Sequence, residues 1–384
     1  MADSSRSTDP VFERKSLAHF LERKRGKKSA HIVFNLLAIA IGLVLSFAVL
    51  GILELGVRLA QRAGFMMNPS SAESIFIKGD FYEQFWKFDA DLGYKPPPGA
   101  IVQSTKQNMG GEVIYHASYS TDKWGRRFTP VDDPALRDRC AVFFGCSFTF
   151  GDGLNDDETL PYFFAKFASR YNPYNYSFSG YGPQNMLARI EQGGLVAEIP
   201  ERCGVMICVG AHVERAIGAY YVFNEWGQNF PYYFIDNKGD LVRNGSFSTG
   251  RPIMSVLFSF MAKSRLVKLS GFRYPWHITD QDRELTASII KESFLKFQKQ
   301  FPGVECYFVN PPGLENAEDR NDRNSVKGVS QILEKEGIKV LDFSSIKEFQ
   351  DEKYYIKGDR HPMPIWNREL AKLIVERLGI ASNE

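Results

Sequence analysis

The sequence predicts an α/β protein: a doubly wound sheet of five parallel strands behind one membrane-spanning helix. Three observations predict it. Ile32 to Leu53 carries no charged residue, and a helix needs ~20 apolar residues to cross a bilayer. From Cys140 onward, short apolar runs alternate with helix-period segments, as strands buried on both faces and joined by crossover helices do. One run, Cys140-Ala141-Val142-Phe143-Phe144, leads into Gly145-Cys146-Ser147. It hands a serine to the carboxyl end of a strand, where small-molecule chemistry sits in such sheets.

Residues 1–30 are polar and basic, densest at Arg23-Lys24-Arg25-Gly26-Lys27-Lys28. They read either as a disordered tail or, over Val11 to Arg25, as a basic amphipathic helix suited to an anionic membrane surface. Residues 31–57 are the anchor. The run is too long for a signal-peptide core, and no small-x-small cleavage site follows it. Lys and Arg crowd its N-terminal side, and only Arg58 and Arg62 follow closely, which predicts a cytoplasmic N-terminus. The rest of the chain is then extracytoplasmic, and periplasmic if the source is bacterial. Glu54 sits at the exit end, where a carboxylate reaches the interface.

Residues 65–139 lack a helical period. Leu92 to Gly99 and Thr121 to Arg127 read as loops, and Val113 to Tyr119 alternates as a strand. This is a lead-in packed on the main domain, which runs from 140 to 384. There the predicted strands are Cys140–Phe144, Tyr174–Phe178, Val205–Val209, Val304–Val309 and Ile338–Phe343. The predicted helices are Asp156–Tyr171, Gln184–Val196, Asp280–Phe301, Asp322–Glu336 and Pro364–Leu378. Residues 216–276 form an insertion with a hairpin signal at Tyr232 to Val242 and a helical run from Met254 to Leu269, the natural lid or cap.

Composition narrows the function classes. The net charge of +2 implies no nucleic-acid field. Five scattered cysteines (140, 146, 203, 208 and 306) make neither a disulfide framework nor a zinc site. The sequence has no Walker loop, no G-x-G-x-x-G and no metal cluster, so no cofactor and no metal are expected. With 31 Phe and 17 Tyr, the aromatic content favours a well-filled core. Tyr181, Trp226, Tyr232 and Tyr233 read either as part of it or as a sugar platform.

Near the C-terminus comes Gly358-Asp359-Arg360-His361-Pro362. An Asp two residues before a His can set a carboxylate beside the imidazole, fixing its tautomer and stabilising the imidazolium. A doubly wound fold can bring this loop to the end of the first strand, next to Ser147.

These blocks resemble the SGNH (GDSL-like) hydrolase superfamily over roughly residues 140–380, and its membrane-anchored extracytoplasmic members in particular. Gly145-Cys146-Ser147-Phe148-Thr149-Phe150-Gly151 is similar to the first block, Tyr174 to Gly182 to the second, and Asp359 with His361 to the last. The resemblance implies a flavodoxin-like sheet, Ser147 as nucleophile, and Asp359 and His361 completing a triad. It also implies an oxyanion hole from the N–H groups of Ser147 and Gly180, with Gly182 the alternative to Gly180. Two positions depart from the pattern. Cys146 replaces an acidic residue, and Val209-Gly210-Ala211-His212 carries His212 where the superfamily has an oxyanion-binding Asn. His212 could donate through a ring N–H, cap its loop, or mark a weakened site. The residue after Phe148 is Thr149, not Gly, so the G-x-S-x-G elbow of α/β-hydrolases is absent.

The expected activity is a serine esterase or O-acyltransferase. Its expected substrate is an acylated, above all O-acetylated, polysaccharide of the envelope or a secreted one. The alternatives are a lipid-acting esterase of lysophospholipase type, and a poorly active binding subunit of a membrane complex.

Overall fold

The computed structural model describes residues 10–65, 76–108, 110–201, 204–312 and 320–381, with backbone only for 10–32, 76–78 and 320–326. Cys203 lies outside the described residues. The chain divides into two units, residues 70–263 with 271–384 and residues 1–69 with 264–270.

The larger unit opens with short antiparallel strands: β1 (Phe76–Gly79), β2 (Lys87–Asp89), β3 (Gly93–Lys95), β4 (Ile101–Gln107) and β5 (Val113–Ser120). β1, β4 and β5 form one small sheet. The main sheet follows: β6 (Arg139–Phe144), β7 (Tyr171–Asn175) and β8 (Gly204–Val209). The insertion contributes the hairpin β9 (Pro231–Ile235) and β10 (Leu241–Ser246), and then β11 (Glu305–Asn310) and β12 (Lys339–Asp342) complete the main sheet. Its order is β12-β11-β8-β6-β7, all parallel. The predicted five-stranded doubly wound fold is therefore the observed one.

The helices are α1 (Pro10–Arg62), α2 (Ser147–Phe150), α3 (Leu160–Phe167), α4 (Pro183–Glu191), α5 (Leu195–Glu198) and α6 (Val213–Ala216). The insertion holds α7 (Tyr220–Val222), α8 (Phe247–Gly250), α9 (Pro252–Met261) and α10 (Arg265–Leu269), before α11 (Asp280–Gln300), α12 (Arg320–Lys335) and α13 (Pro364–Leu378).

Strand period decides where each helix layer sits. On β6, Val142 and Phe144 face one side with Met206, Cys208 and Phe308, against Met186, Ile290 and Phe294 of α4 and α11. Ala141 and Phe143 face the other side with Ile207 and Val309, against Phe164 of α3 and Trp366 and Leu370 of α13. Each fully buried large apolar side chain contributes roughly 1.5–3 kcal/mol. A third, aromatic core joins Phe81, Phe85, Tyr94 and Tyr119 of the lead-in to Phe150, Phe178, Tyr181 and Phe230. Trp86 stacks on Tyr94 at 4.1 Å, and Phe150 meets Phe178 edge-on at 5.1 Å. Tyr181 and Tyr233 are buried, so neither is an exposed sugar platform.

Four predicted elements moved, the helix expected over Gln184–Val196 breaking at the left-handed Gly193 and Gly194 into α4 and α5. The second main strand lies three residues earlier than expected, at Tyr171–Asn175, and includes Pro173. β7 is an edge strand, where a residue without an N–H is tolerated. The helix expected over Asp156–Tyr171 is split. Asn155 and Glu158 form a capping box around a single 3-10 turn, and Thr159 then caps α3 with Pro161 in its first turn. The run from Met254 to Leu269 breaks between α9 and α10, where Ser264 caps the second helix.

In the smaller unit, α1 is continuous from Pro10 to Arg62 and so extends past both ends of the expected 31–57 anchor. It stops where Gly64 takes a left-handed φ of 77° and the Phe65 N–H turns back to the Ala60 carbonyl. Its Val33–Arg62 portion is the one helix among the described residues that is long and apolar enough to cross a membrane, its most apolar 18-residue stretch having a mean hydropathy of 2.8. The Glu54 carboxylate accepts hydrogen bonds from Ser264 Oγ (2.8 Å) and from the N–H groups of Arg265 (2.9 Å) and Leu266 (3.0 Å), so it caps α10.

Candidate active site

In a parallel sheet all carboxyl ends point to one edge. Ser147 follows β6, Ser179 and Gly180 follow β7, and His212 follows β8, so topology alone collects them there. The turn out of β6 is shaped locally. A Cβ on Gly145 would meet Thr149 Oγ1 at 2.4 Å, so only glycine lets the strand bend directly into α2. Cys146 caps α2, its Sγ accepting from the Phe148 N–H at 3.5 Å. The residue that departs from the superfamily pattern thus has a structural task. Gly151, at φ 90°, ends α2 after one turn, and the Asp152 N–H then donates to the Ser147 carbonyl at 3.0 Å. Ser147 and Asp152 share this turn.

The turn is held from beneath by Arg127, whose guanidinium is fully buried. It lies over the rings of Tyr119 (4.4 Å) and Phe150 (4.6 Å), pairs with Asp156 (2.9 Å) and donates to the Leu154 carbonyl (2.9 Å).

The Asp359 loop is equally specified. Its tip uses left-handed residues at Gly358 (φ 81°) and Arg360 (φ 69°), and the Ile356 N–H donates to the His361 carbonyl at 2.8 Å. Asp359 Oδ1 accepts from the His361 N–H at 3.0 Å and from His361 Nδ1. The other oxygen of Asp359 pairs with Lys106 Nζ of β4. Burial alone would raise the pKa of Asp359, but hydrogen bonds and charge from His361 and Lys106 outweigh it and hold the carboxyl well below the usual range.

With Nδ1 held by Asp359, the free ring nitrogen is Nε2, and it faces Asp152 Oδ2 at 3.8 Å. Among the described residues no hydrogen bond joins Ser147 Oγ to His361. Asp152 Oδ1 accepts from Ser179 Oγ at 2.6 Å. Burial pushes the Asp152 pKa up, against the pull of His361 and Ser179. Burial pushes His361 down, but the hydrogen bond to Asp359 and the charges of Asp359 and Asp152 win, so its pKa is raised.

Gly180 adopts φ 79°, and a Cβ there would meet Tyr94 Oη at 2.5 Å and Trp226 Nε1 at 2.9 Å. Those same side chains fix its turn: Tyr94 Oη donates to the Ser179 carbonyl (2.7 Å) and Trp226 Nε1 to the Gly180 carbonyl (3.2 Å). Among the described residues neither the Ser147 nor the Gly180 N–H finds a backbone acceptor. The Gly182 N–H donates to Asn185 Oδ1 at 3.0 Å, so it is engaged within its own capping turn. His212 takes a left-handed φ of 47°, and its ring folds back toward Gly210, whose added Cβ would meet His212 Nε2 at 3.0 Å. Glu214 and Arg215 do not pair with each other in the described contacts: Glu214 accepts from Tyr221 Oη (2.6 Å), and Arg215 donates to the Tyr181 carbonyl (2.7 Å).

Three residues here escaped the sequence reading, Asp152, Ser179 and Lys106, while Trp226, read as core or sugar platform, instead bonds the Gly180 carbonyl. Asp152 had a signal, an acidic residue one short turn after the serine. Lys106 had none, because nothing in an isolated lead-in strand points to a loop near the C-terminus. Two clefts, one lined by Trp124, Arg126, Tyr176 and Tyr181 and a larger one lined by Arg126, Arg127, Thr129 and Tyr174, include neither Ser147 nor His361 among their lining residues. Among the described residues no three His, Cys, Asp or Glu side chains are grouped to hold a metal.

No family model matches this chain, and no curated protein does. Solved GDSL-type hydrolases are similar to it. They include a member of the lipolytic protein G-D-S-L family from Veillonella parvula (14% identity, TM-score 0.36, covering 62% of this chain and 97% of that one). The lipase/acylhydrolase from Enterococcus faecalis is another (14%, 0.36, 64% and 98%). The psychrotrophic esterase EstA from Pseudoalteromonas sp. is a third (12%, 0.36, 63% and 100%).

Proposed function

We propose that this chain is a serine hydrolase of the SGNH type that cleaves ester bonds and is held at a membrane by α1. The observation that carries the reading is the Asp359–His361 pair. A carboxylate on Nδ1 leaves Nε2 as the proton-accepting nitrogen, directed at the turn that carries Ser147.

In this reading Ser147 Oγ attacks the ester carbonyl while its proton passes to His361 Nε2. Asp359 orients the ring and stabilises the imidazolium. The N–H groups of Ser147 and Gly180, with the ring of His212, hold the oxyanion, each good donor contributing a factor of about 10² to 10³ in rate. His361 then protonates the leaving alcohol, and a second nucleophile releases the acyl group from Ser147. A small shift of the ring from Asp152 toward Ser147 is required, a tightening common when substrate binds.

The basic N-terminal side of α1 supports a cytoplasmic N-terminus and an extracytoplasmic active site. That location favours O-acetyl groups of an envelope or secreted polysaccharide as substrate. A second reading, an esterase acting on lipids, draws on α9, whose Ile253, Val256 and Phe260 are exposed. Preference for long over short acyl chains separates the two.

The test uses the full chain in detergent with p-nitrophenyl acetate. Release of p-nitrophenol that Ser147→Ala abolishes supports the reading, and full activity in that variant overturns it. If an activated-serine probe fails to label Ser147, the chain is instead a binding subunit that has kept the fold.

A further inference from the structure

The carboxylate on the far side of His361 has no task in the steps above. Asp152 is fixed at three points. Its N–H bonds to the Ser147 carbonyl (3.0 Å), its Oδ1 accepts from Ser179 Oγ (2.6 Å), and its Oδ2 faces His361 Nε2 at 3.8 Å. That last distance is too long for a hydrogen bond. Two atoms 3.8 Å apart can each lie an ordinary hydrogen-bond length, about 2.8 Å, from one oxygen set beside the line between them. Such an oxygen would lie next to the turn that carries Ser147.

We propose that Asp152 is a positioning residue that holds the water of the second half-reaction, with one water hydrogen on Asp152 Oδ2 and the other on His361 Nε2. This rests on Ser147 carrying the acyl group. The water oxygen bonds to the acyl carbon as its proton moves to Nε2. The tetrahedral intermediate then expels Ser147 Oγ, which takes that proton back from Nε2, and the carboxylic acid leaves. Asp152 gains and loses no proton. Its burial and its bond to Ser179 keep the acceptor aimed. Ser179 precedes Gly180, so the same turn orients the water acceptor and the oxyanion donor.

The geometry also discriminates between nucleophiles. Water has two hydrogens and can satisfy both acceptors. A simple alcohol has one, which must go to His361, and it gains nothing from Asp152. Asp152 therefore favours hydrolysis over transfer to monohydric alcohols.

The experiment follows p-nitrophenyl acetate turnover by the full chain in detergent, resolving the p-nitrophenol burst and the decay of acetyl-Ser147 by mass spectrometry. In Asp152→Asn, whose amide oxygen can still accept from Ser179, the burst persists while acetyl-enzyme decay slows about 10²-fold, the usual cost of a lost positioning contact. Ser179→Ala, which frees the carboxylate without removing it, slows decay by a smaller factor. With methanol present, Asp152→Asn raises the ratio of methyl acetate to acetate. Equal slowing of burst and decay, or no slowing of decay in either variant, overturns the proposal. A wild-type chain that never forms acetyl-Ser147 overturns the Ser147 reading itself, and this proposal with it.

Discussion

Lys106 and Asp359 form a buried ion pair across 253 residues of sequence. One partner comes from the small antiparallel sheet of the lead-in, the other from the loop before α13. The lead-in thus reaches the carboxylate that orients His361.

The first prediction concerns that pair. Lys106→Met leaves the Asp359 carboxylate, 1% exposed, with His361 as its remaining charged partner. Removing one member of a buried pair typically costs 3–5 kcal/mol, so Tm falls. The orientation of His361 loosens as well, and kcat/KM is expected to drop about tenfold, or 1.4 kcal/mol of barrier. Lys106→Arg restores most of both. Unchanged kinetics in Lys106→Met, measured on protein that is still folded, would show that the pair supports only the fold.

A second prediction is the pH profile. His361 must be neutral to accept a proton, and its raised pKa means that it stays protonated above the ordinary 6.5. The acid limb of kcat/KM is therefore centred above pH 6.5. The titratable groups around the ring are Asp359, Asp152, Cys146 and, behind Asp359, Lys106. Asp152→Asn removes one stabilising negative charge from the imidazolium, so the midpoint moves to lower pH. Asp359→Asn moves it further and also lowers the plateau. A wild-type midpoint at or below 6.5 contradicts this arrangement.

The third concerns His212, which stands where the superfamily uses asparagine. Its left-handed backbone is one that asparagine tolerates better than most residues. His212→Asn should therefore fold normally and keep activity within about tenfold. His212→Ala should lose about 10²-fold if the ring binds the oxyanion. Matched rates for the alanine variant and the wild type, on the same ester, remove His212 from the oxyanion hole.

Much of this was legible in the sequence because the signals were local. Apolar runs broken by glycine give the strands, and the short spacing of Asp359 and His361 gives their contact. Pro364 to Leu378 reads as a helix with proline at its start and Gly379 at its end, and α13 has those bounds. What stayed hidden depends on long-range closure. Lys106 reads as one more polar residue of the lead-in until the chain folds it against Asp359. Tyr94 reads as part of a loop and Trp226 as core or sugar platform, yet their polar tips set the turn at Gly180. The early strand at Tyr171 was missed because Pro173 counts against any strand until its place at the sheet edge is known.

The cap that Glu54 provides to α10 has a consequence for how this protein is handled. The two partners lie 210 residues apart in sequence, so the contact closes only after most of the chain has been made. A version cut free of α1 would lack that carboxylate. The first turn of α10 would then be left with unpaired amide groups beside Leu266, Val267 and Leu269, a short sticky segment on an otherwise intact domain. Aggregation of such a trimmed protein would report a missing cap on one helix, not a failure of the main α/β fold.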